Sequence, residues 1–211
     1  MQQIYEKFDK KAIAALPRVT FNGRIFTIIT EDEAERAVDY LLSQPILGFD
    51  TETRPTFKKG RANKVALLQV ATHDTCFLFR LNRIGLTPSV IRLLEDKTVL
   101  KIGLSLHDDF FNLHHRGDFI VGDFVELQQE VKKLGIMDLS LQKIYANLFQ
   151  AKISKSQQLS NWEALLLTDA QQQYAAIDAW ACIRIYERIN ELYASGQYQL
   201  VREEQDKTIN I

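Results

Sequence analysis

The apolar positions of the chain follow two spacings. PILGFDTET carries an apolar run suited to a buried strand through residues 46–52, and VALLQVAT (65–72), CFLFRL (76–81) and VLKIGL (99–104) are further apolar segments. Short runs of this kind predict buried strands. The second and third flank His73-Asp74-Thr75, a turn that lets them pair as neighbours. FNGRIFTIIT (21–30) reads as a turn followed by a strand. Elsewhere the spacing is helical. Ala34, Val38, Leu41 and Leu42 mark one face of a helix opened by a Thr30–Glu33 capping box and closed before Pro45. Thr87 and Pro88 open another. Residues 1–18, 105–115, 123–134 and 139–149 predict four more. The longest helix starts at Thr168, where Gln171 completes a second capping box, and stops at Gly196.

Strands dominate the first half and helices the second. This predicts an α/β domain with a mixed sheet flanked by helices. The expected boundaries are an N-terminal helical extension over 1–24, one domain over 25–200 and a polar C-terminal tail over 201–211.

Carboxylates stand out against this pattern. Residues two apart on a strand share a face, so Asp50 and Glu52 project side by side from an apolar strand. Burying both is costly unless a divalent cation joins them. The alternative is a strand that ends at Phe49, with both acids in a solvated loop. Tyr174 and Asp178, four apart, lie on the apolar stripe of the long helix with Ile177, Ala181, Ile185 and Ile189. An aspartate there requires a partner: a metal, a buried arginine or backbone amides. Of Asp108 and Asp109, the second lies on the stripe of Leu106, Phe110 and Leu113. It is assigned to the site, and Asp108 to a cap with Ser105. The alternative for Asp109 is an exposed first-turn acid favoured by the helix dipole. Oxygen-only ligands suit Mg²⁺ or Mn²⁺ better than zinc. His114 and His115 are adjacent on a helix and face different directions.

Composition narrows the setting. The chain has 211 residues, 46% hydrophobic and 25% charged, as expected of one globular domain. No apolar run approaches the ~20 residues needed to cross a bilayer, and the N-terminus lacks the pattern of a secretory signal. The two cysteines, Cys76 and Cys182, are too few for a disulfide framework, so a cytoplasmic setting is expected. The net charge of −1 gives no global footprint for a polyanion. Any such binding must rest on local basic groups and bound metal.

GFDTE (48–52), HDDFFNL (107–113) and YAAID (174–178) resemble, in order, the three motifs of the DEDD family of 3′-5′ exonucleases. Tyr174 matches its tyrosine-containing branch. Residues 48–72 look like the Werner syndrome exonuclease domain, and residues 155–180 are similar to RNase D. The resemblance covers roughly residues 25–195. It implies an RNase H-like fold and a two-metal mechanism acting on the 3′ ends of DNA or RNA, single-stranded or recessed. Asp50, Glu52 and Asp178 would hold the first Mg²⁺ or Mn²⁺. Asp50 would bridge to the second, supported by Asp109 through water. Tyr174 would orient the attacking water, and a nucleoside monophosphate would leave. Lys58, Lys59, Arg61 and Lys64 follow the first motif and Lys155 precedes the third. They are assigned to phosphate contacts, with a solvated loop as the alternative for the first four. Phe57 and Trp162 are candidates for base stacking or for core packing. With so little chain after the third motif, weak and distributive action is expected. The competing functions are a catalytically weak nucleic-acid-binding module with the same fold and a hydrolase of free nucleotides.

Overall fold

Alternation along the central strands decides which helices cover which face. The computed structural model describes residues 1–56, 60 and 62–202. Its strands are β1 (Gln2–Tyr5), β2 (Arg24–Ile28), β3 (Ile46–Thr53), β4 (Val65–Ala71), β5 (Thr75–Phe79), β6 (Leu100–Gly103), β7 (Phe124–Glu126) and β8 (Tyr198–Val201). Its helices are α1 (Lys10–Ile13), α2 (Glu31–Leu41), α3 (Leu81–Ile84), α4 (Pro88–Glu95), α5 (Leu106–His114), α6 (Leu127–Glu130), α7 (Leu141–Phe149) and α8 (Asp169–Ser195).

Six strands form one mixed sheet in the order β2-β5-β4-β3-β6-β7. The central pair β3–β4 is antiparallel, as is the hairpin β4–β5, and the remaining pairs are parallel. On β3, Leu47 and Phe49 enter a core with Ala34, Val38 and Leu41 of α2, Val90 and Leu93 of α4, and Leu106 and Leu113 of α5. The opposite face carries Leu67 and Ala71 of β4 and Leu78 of β5. It packs against Ile144 and Leu148 of α7 and the buried stripe of α8. The expected Thr30–Glu33 and Thr168–Gln171 capping boxes are both formed, and Gly196 closes α8 in the left-handed conformation.

Helix α8 seats directly on β3. A Cβ at Gly48 would lie 1.9 Å from the carbonyl oxygen of Ala179. Ala175, Ala176 and Ala179 are fully buried. These small residues let the helix backbone approach the strand. The contact places Asp178 above the face from which Asp50 and Glu52 project.

Two expected helices are corrected. Within residues 1–18 the chain forms β1 and the four-residue α1 instead of one helix. Strand β1 pairs in parallel with β8, Gln2 opposite Tyr198, across nearly the whole sequence. Residues 123–134 begin with β7, which pairs with β6, before α6 and a 3₁₀ turn over Val131–Leu134. Both strands are short and take their pairing from distant residues, which local periodicity does not register. Among the described residues no helix is long and apolar enough to cross a membrane.

Gly48→Ala should cost at least about 2 kcal/mol, because the added methyl has no room against the α8 backbone. That corresponds to a fall in Tm of roughly 4–8 °C for a domain of this size. An unchanged melting temperature would show that α8 does not rest on this strand.

Candidate active site

Three carboxylates converge where β3 passes under α8. Ligand oxygens of Asp50, Glu52 and Asp178 all lie within 4.8 Å of one another. Asp178 is 6% exposed and Tyr174, one turn earlier on the same helix face, 9%. The carboxylates line a cleft of about 380 Å³ together with Ser105, Leu139, Gln142, Lys155, Gln158, Tyr174 and Cys182. The reading of β3 as a strand that continues through both acids therefore holds. A register irregularity follows immediately, between Glu52 and Thr53.

Asp109 approaches from α5 and lies outside that 4.8 Å group. Its Oδ1 accepts a hydrogen bond from Thr51 Oγ1. Asp108 is exposed, so Asp109 is the inward member of the pair. The expected Ser105–Asp108 cap is corrected. Ser105 sits in the left-handed region at φ 63° and makes no side-chain cap bond. The Glu126 carboxylate instead accepts from the amides of Ser105 at 3.0 Å, Leu106 at 2.8 Å and Gln128 at 2.9 Å. A helix reading of residues 123–134 hid this role, and no local signal marks Glu126 as a cap for a helix twenty residues earlier. Thr51 was legible in principle, since the residue between two same-face acids must point the other way.

The electrostatics follow from crowding like charges out of water. Burial, then the charge of Asp178, pushes Asp50 well above the usual carboxylate range. Burial followed by Asp50 and Asp178 pushes Glu52 up to about 10. Asp109 rises to about 8, through burial and then Asp50, with the Thr51 hydroxyl pulling the other way. Burial lifts Asp178 to about 7, while the Tyr174 hydroxyl and Lys155 oppose the rise. Burial and the neighbouring carboxylates push the Tyr174 phenol above its ordinary value. Across the ladder from Asp50, Gln69 is fully buried, and its carboxamide has no protein partner among the described residues. Oxygen donors at this spacing, destabilised by one another, fit a hard divalent cation.

The remaining predicted contacts divide. Lys155 is exposed and lines the cleft, near enough to Asp178 to favour its ionised form. Lys64 is exposed just before β4 and is not among the cleft residues. Phe57, Lys58, Lys59 and Arg61 lie outside the described residues. Trp162 is fully buried, its ring 6.0 Å from that of Tyr174, so it supports the tyrosine from the core side.

A family model described as 3′-5′ exonuclease matches residues 25–193. Over 196 residues the chain is 29% identical to the bifunctional 3′-5′ exonuclease/ATP-dependent helicase WRN of Mus musculus, covering 86% of this chain and 14% of that one. It is 28% identical over 209 residues to a 3′-5′ exonuclease of Arabidopsis thaliana, covering 89% of this chain and 72% of that one. The mouse protein is thus far longer than the segment this chain matches. Among solved structures, the EXO domain of Aedes aegypti Nibbler superposes with a TM-score of 0.74 at 22% identity, covering 83% of this chain and 91% of that one. The mixed sheet is the RNase H-like arrangement that the three motifs implied.

Raised carboxylate values make metal-free stability depend on pH with a defined sign. Below about pH 4 these groups are protonated in both folded and unfolded chains. Above it the unfolded chain releases protons that the folded site retains, so their contribution to stability falls as pH rises through about 7 to 10. At one fixed manganese concentration, a hundredfold above the pH 8 Kd, the metal should therefore raise Tm by roughly 5–10 °C at pH 8 and by less at pH 5.5. Asp178→Asn should shrink both the pH dependence and the manganese shift. Equal shifts at the two pH values, in calorimetry of the metal-free and loaded protein, would contradict this.

Proposed function

Because this chain belongs to the 3′-5′ exonuclease family, matched over residues 25–193, we propose that its cleft hydrolyses the terminal phosphodiester at the 3′ end of a DNA or RNA strand. A nucleoside monophosphate is released, and two divalent cations, Mg²⁺ or Mn²⁺, serve as cofactors. The observation that carries this reading is the convergence of Asp50, Glu52 and Asp178 oxygens within 4.8 Å in a desolvated cleft.

Asp50, Glu52 and Asp178 would hold the first cation. Asp50 and Asp109, the latter held by the Thr51 hydroxyl, would hold the second. When bound, the cations supply the positive charge that activates a water nucleophile and offsets charge on the leaving 3′ oxygen. Tyr174 stays protonated at neutral pH, since its phenol is pushed above its ordinary value. It therefore orients the water by a hydrogen bond and is not the base that takes its proton. Lys155, exposed at the cleft wall, meets the phosphate. Lys58, Lys59, Arg61 and Lys64 contact the backbone of the strand without reading its sequence.

The test is a set of matched DNA and RNA oligonucleotides, labelled at either end, incubated in Mg²⁺ or Mn²⁺. Stepwise shortening from the 3′ end is expected, with mononucleotide product. Asp50→Asn and Asp178→Asn should each lower kcat by at least about a hundredfold. Tyr174→Phe should lower it by about tenfold to a hundredfold with little change in metal affinity. Shortening from the 5′ end, or full activity in both aspartate variants, would defeat the assignment.

A further inference from the structure

Four arginines from separate parts of the chain gather around residues 163–165. Arg54 Nη1 pairs with Glu163 Oε2 at 3.2 Å. Arg80, 1% exposed, donates from Nη2 to the carbonyl of Ala164 at 2.5 Å. Arg83 donates to the next carbonyl, that of Leu165. Arg116 donates from Nε to the Val65 carbonyl and feels the charge of Glu163. Among the described residues, the Arg54–Glu163 pair is the only salt bridge that any of the four makes. Arg80 Nε is buried without a partner among the described residues, and burial, then the charge of Arg83, lowers the Arg80 pKa. Carbonyls satisfy hydrogen bonds here but do not neutralise charge. Concentrated positive charge of this kind is unusual on a chain whose net charge is −1.

The same ledge exposes two adjacent leucines, Leu165 at 77% and Leu166 at 78%. Its link to the cleft runs along the chain through Glu52, which lines the cleft. Arg54 follows Glu52 by two residues, about 7 Å of extended chain. At roughly 3.4 Å of helix axis per nucleotide, the ledge begins about two nucleotides from the terminal linkage.

We propose that this ledge binds the phosphodiester backbone of the substrate strand on the 5′ side of its terminal linkage, with Leu165 and Leu166 against the sugar and base faces. The proposal rests on the 3′-5′ exonuclease reading for the direction of the strand. Charge complementarity selects the occupant: Arg54, Arg83 and Arg116 present guanidinium groups that suit phosphate oxygens. A dinucleotide is too short to span the ledge, whereas a 12-mer covers it.

The experiment compares kcat/KM for a 12-mer and a dinucleotide, in DNA and RNA forms, across a salt series. The full chain is used as wild type, Arg83→Gln, Arg83→Lys and Leu165→Ser. Arg83→Gln should lower the 12-mer to dinucleotide ratio about fivefold, through KM. It should also reduce the slope of log KM against log salt by about 0.7, the loss of one single-strand phosphate contact. Arg83→Lys should restore most of the slope. Leu165→Ser should lower the ratio without changing the slope. An equal loss on both substrates would mark Arg83 as structural and overturn the proposal, as would an unchanged ratio. Salt-dependent anisotropy of a labelled 12-mer separates the two readings. If wild type binds it with the Arg83-dependent slope but never shortens it, the ledge stands and the nuclease assignment falls. If Arg83→Gln instead changes the mass of the chain in light scattering and leaves the 12-mer slope intact, the face joins copies of the protein and the proposal fails.

Discussion

The contact between α8 and β3 is the constraint from which the site follows. Gly48 has no side chain, and the Ala179 carbonyl occupies the space that one would fill. A flat strand and a small-residue helix face can therefore meet backbone to backbone. Two residues further along the strand and one residue back along the helix, Asp50 and Asp178 are brought face to face. Any bulkier residue at Gly48 or Ala179 would lift the helix and separate the carboxylates. The same packing sets Tyr174 one turn away, with Trp162 buried behind it.

Holding acids together in this way works against folding. Each carboxylate in the cleft is desolvated, and all but Asp178 are further opposed by a neighbouring carboxylate's charge. The two hydrophobic layers on either side of the sheet supply the opposing free energy. A divalent ion at these positions would replace repulsion with attraction.

Around that acidic centre the charge reverses. Lys155 stands at the cleft wall, and Arg54, Arg83 and Arg116 gather beyond Glu52. An acidic centre flanked by basic groups is the pattern expected where a polyanion must be both drawn in and cut. A net charge of −1 does not oppose such a substrate: the relevant quantity is where the charges sit, not their sum.

The sequence alone determined the local features. Both capping boxes, the long helix from Thr168 to Gly196, the central strands and the inward sides of Asp50, Glu52, Asp109 and Asp178 were legible. Each depends on periodicity or on residues within one turn of each other. The three ordered motifs added the family and the RNase H-like sheet. Tertiary structure decided what joins residues far apart: β1 lying on β8, β7 completing the sheet, Glu126 capping α5 in place of Asp108, Thr51 binding Asp109, and four arginines meeting at residues 163–165. None of these leaves a local pattern, because short strands, cap partners and charge clusters are selected by whichever distant segment the packed helices and sheet bring alongside.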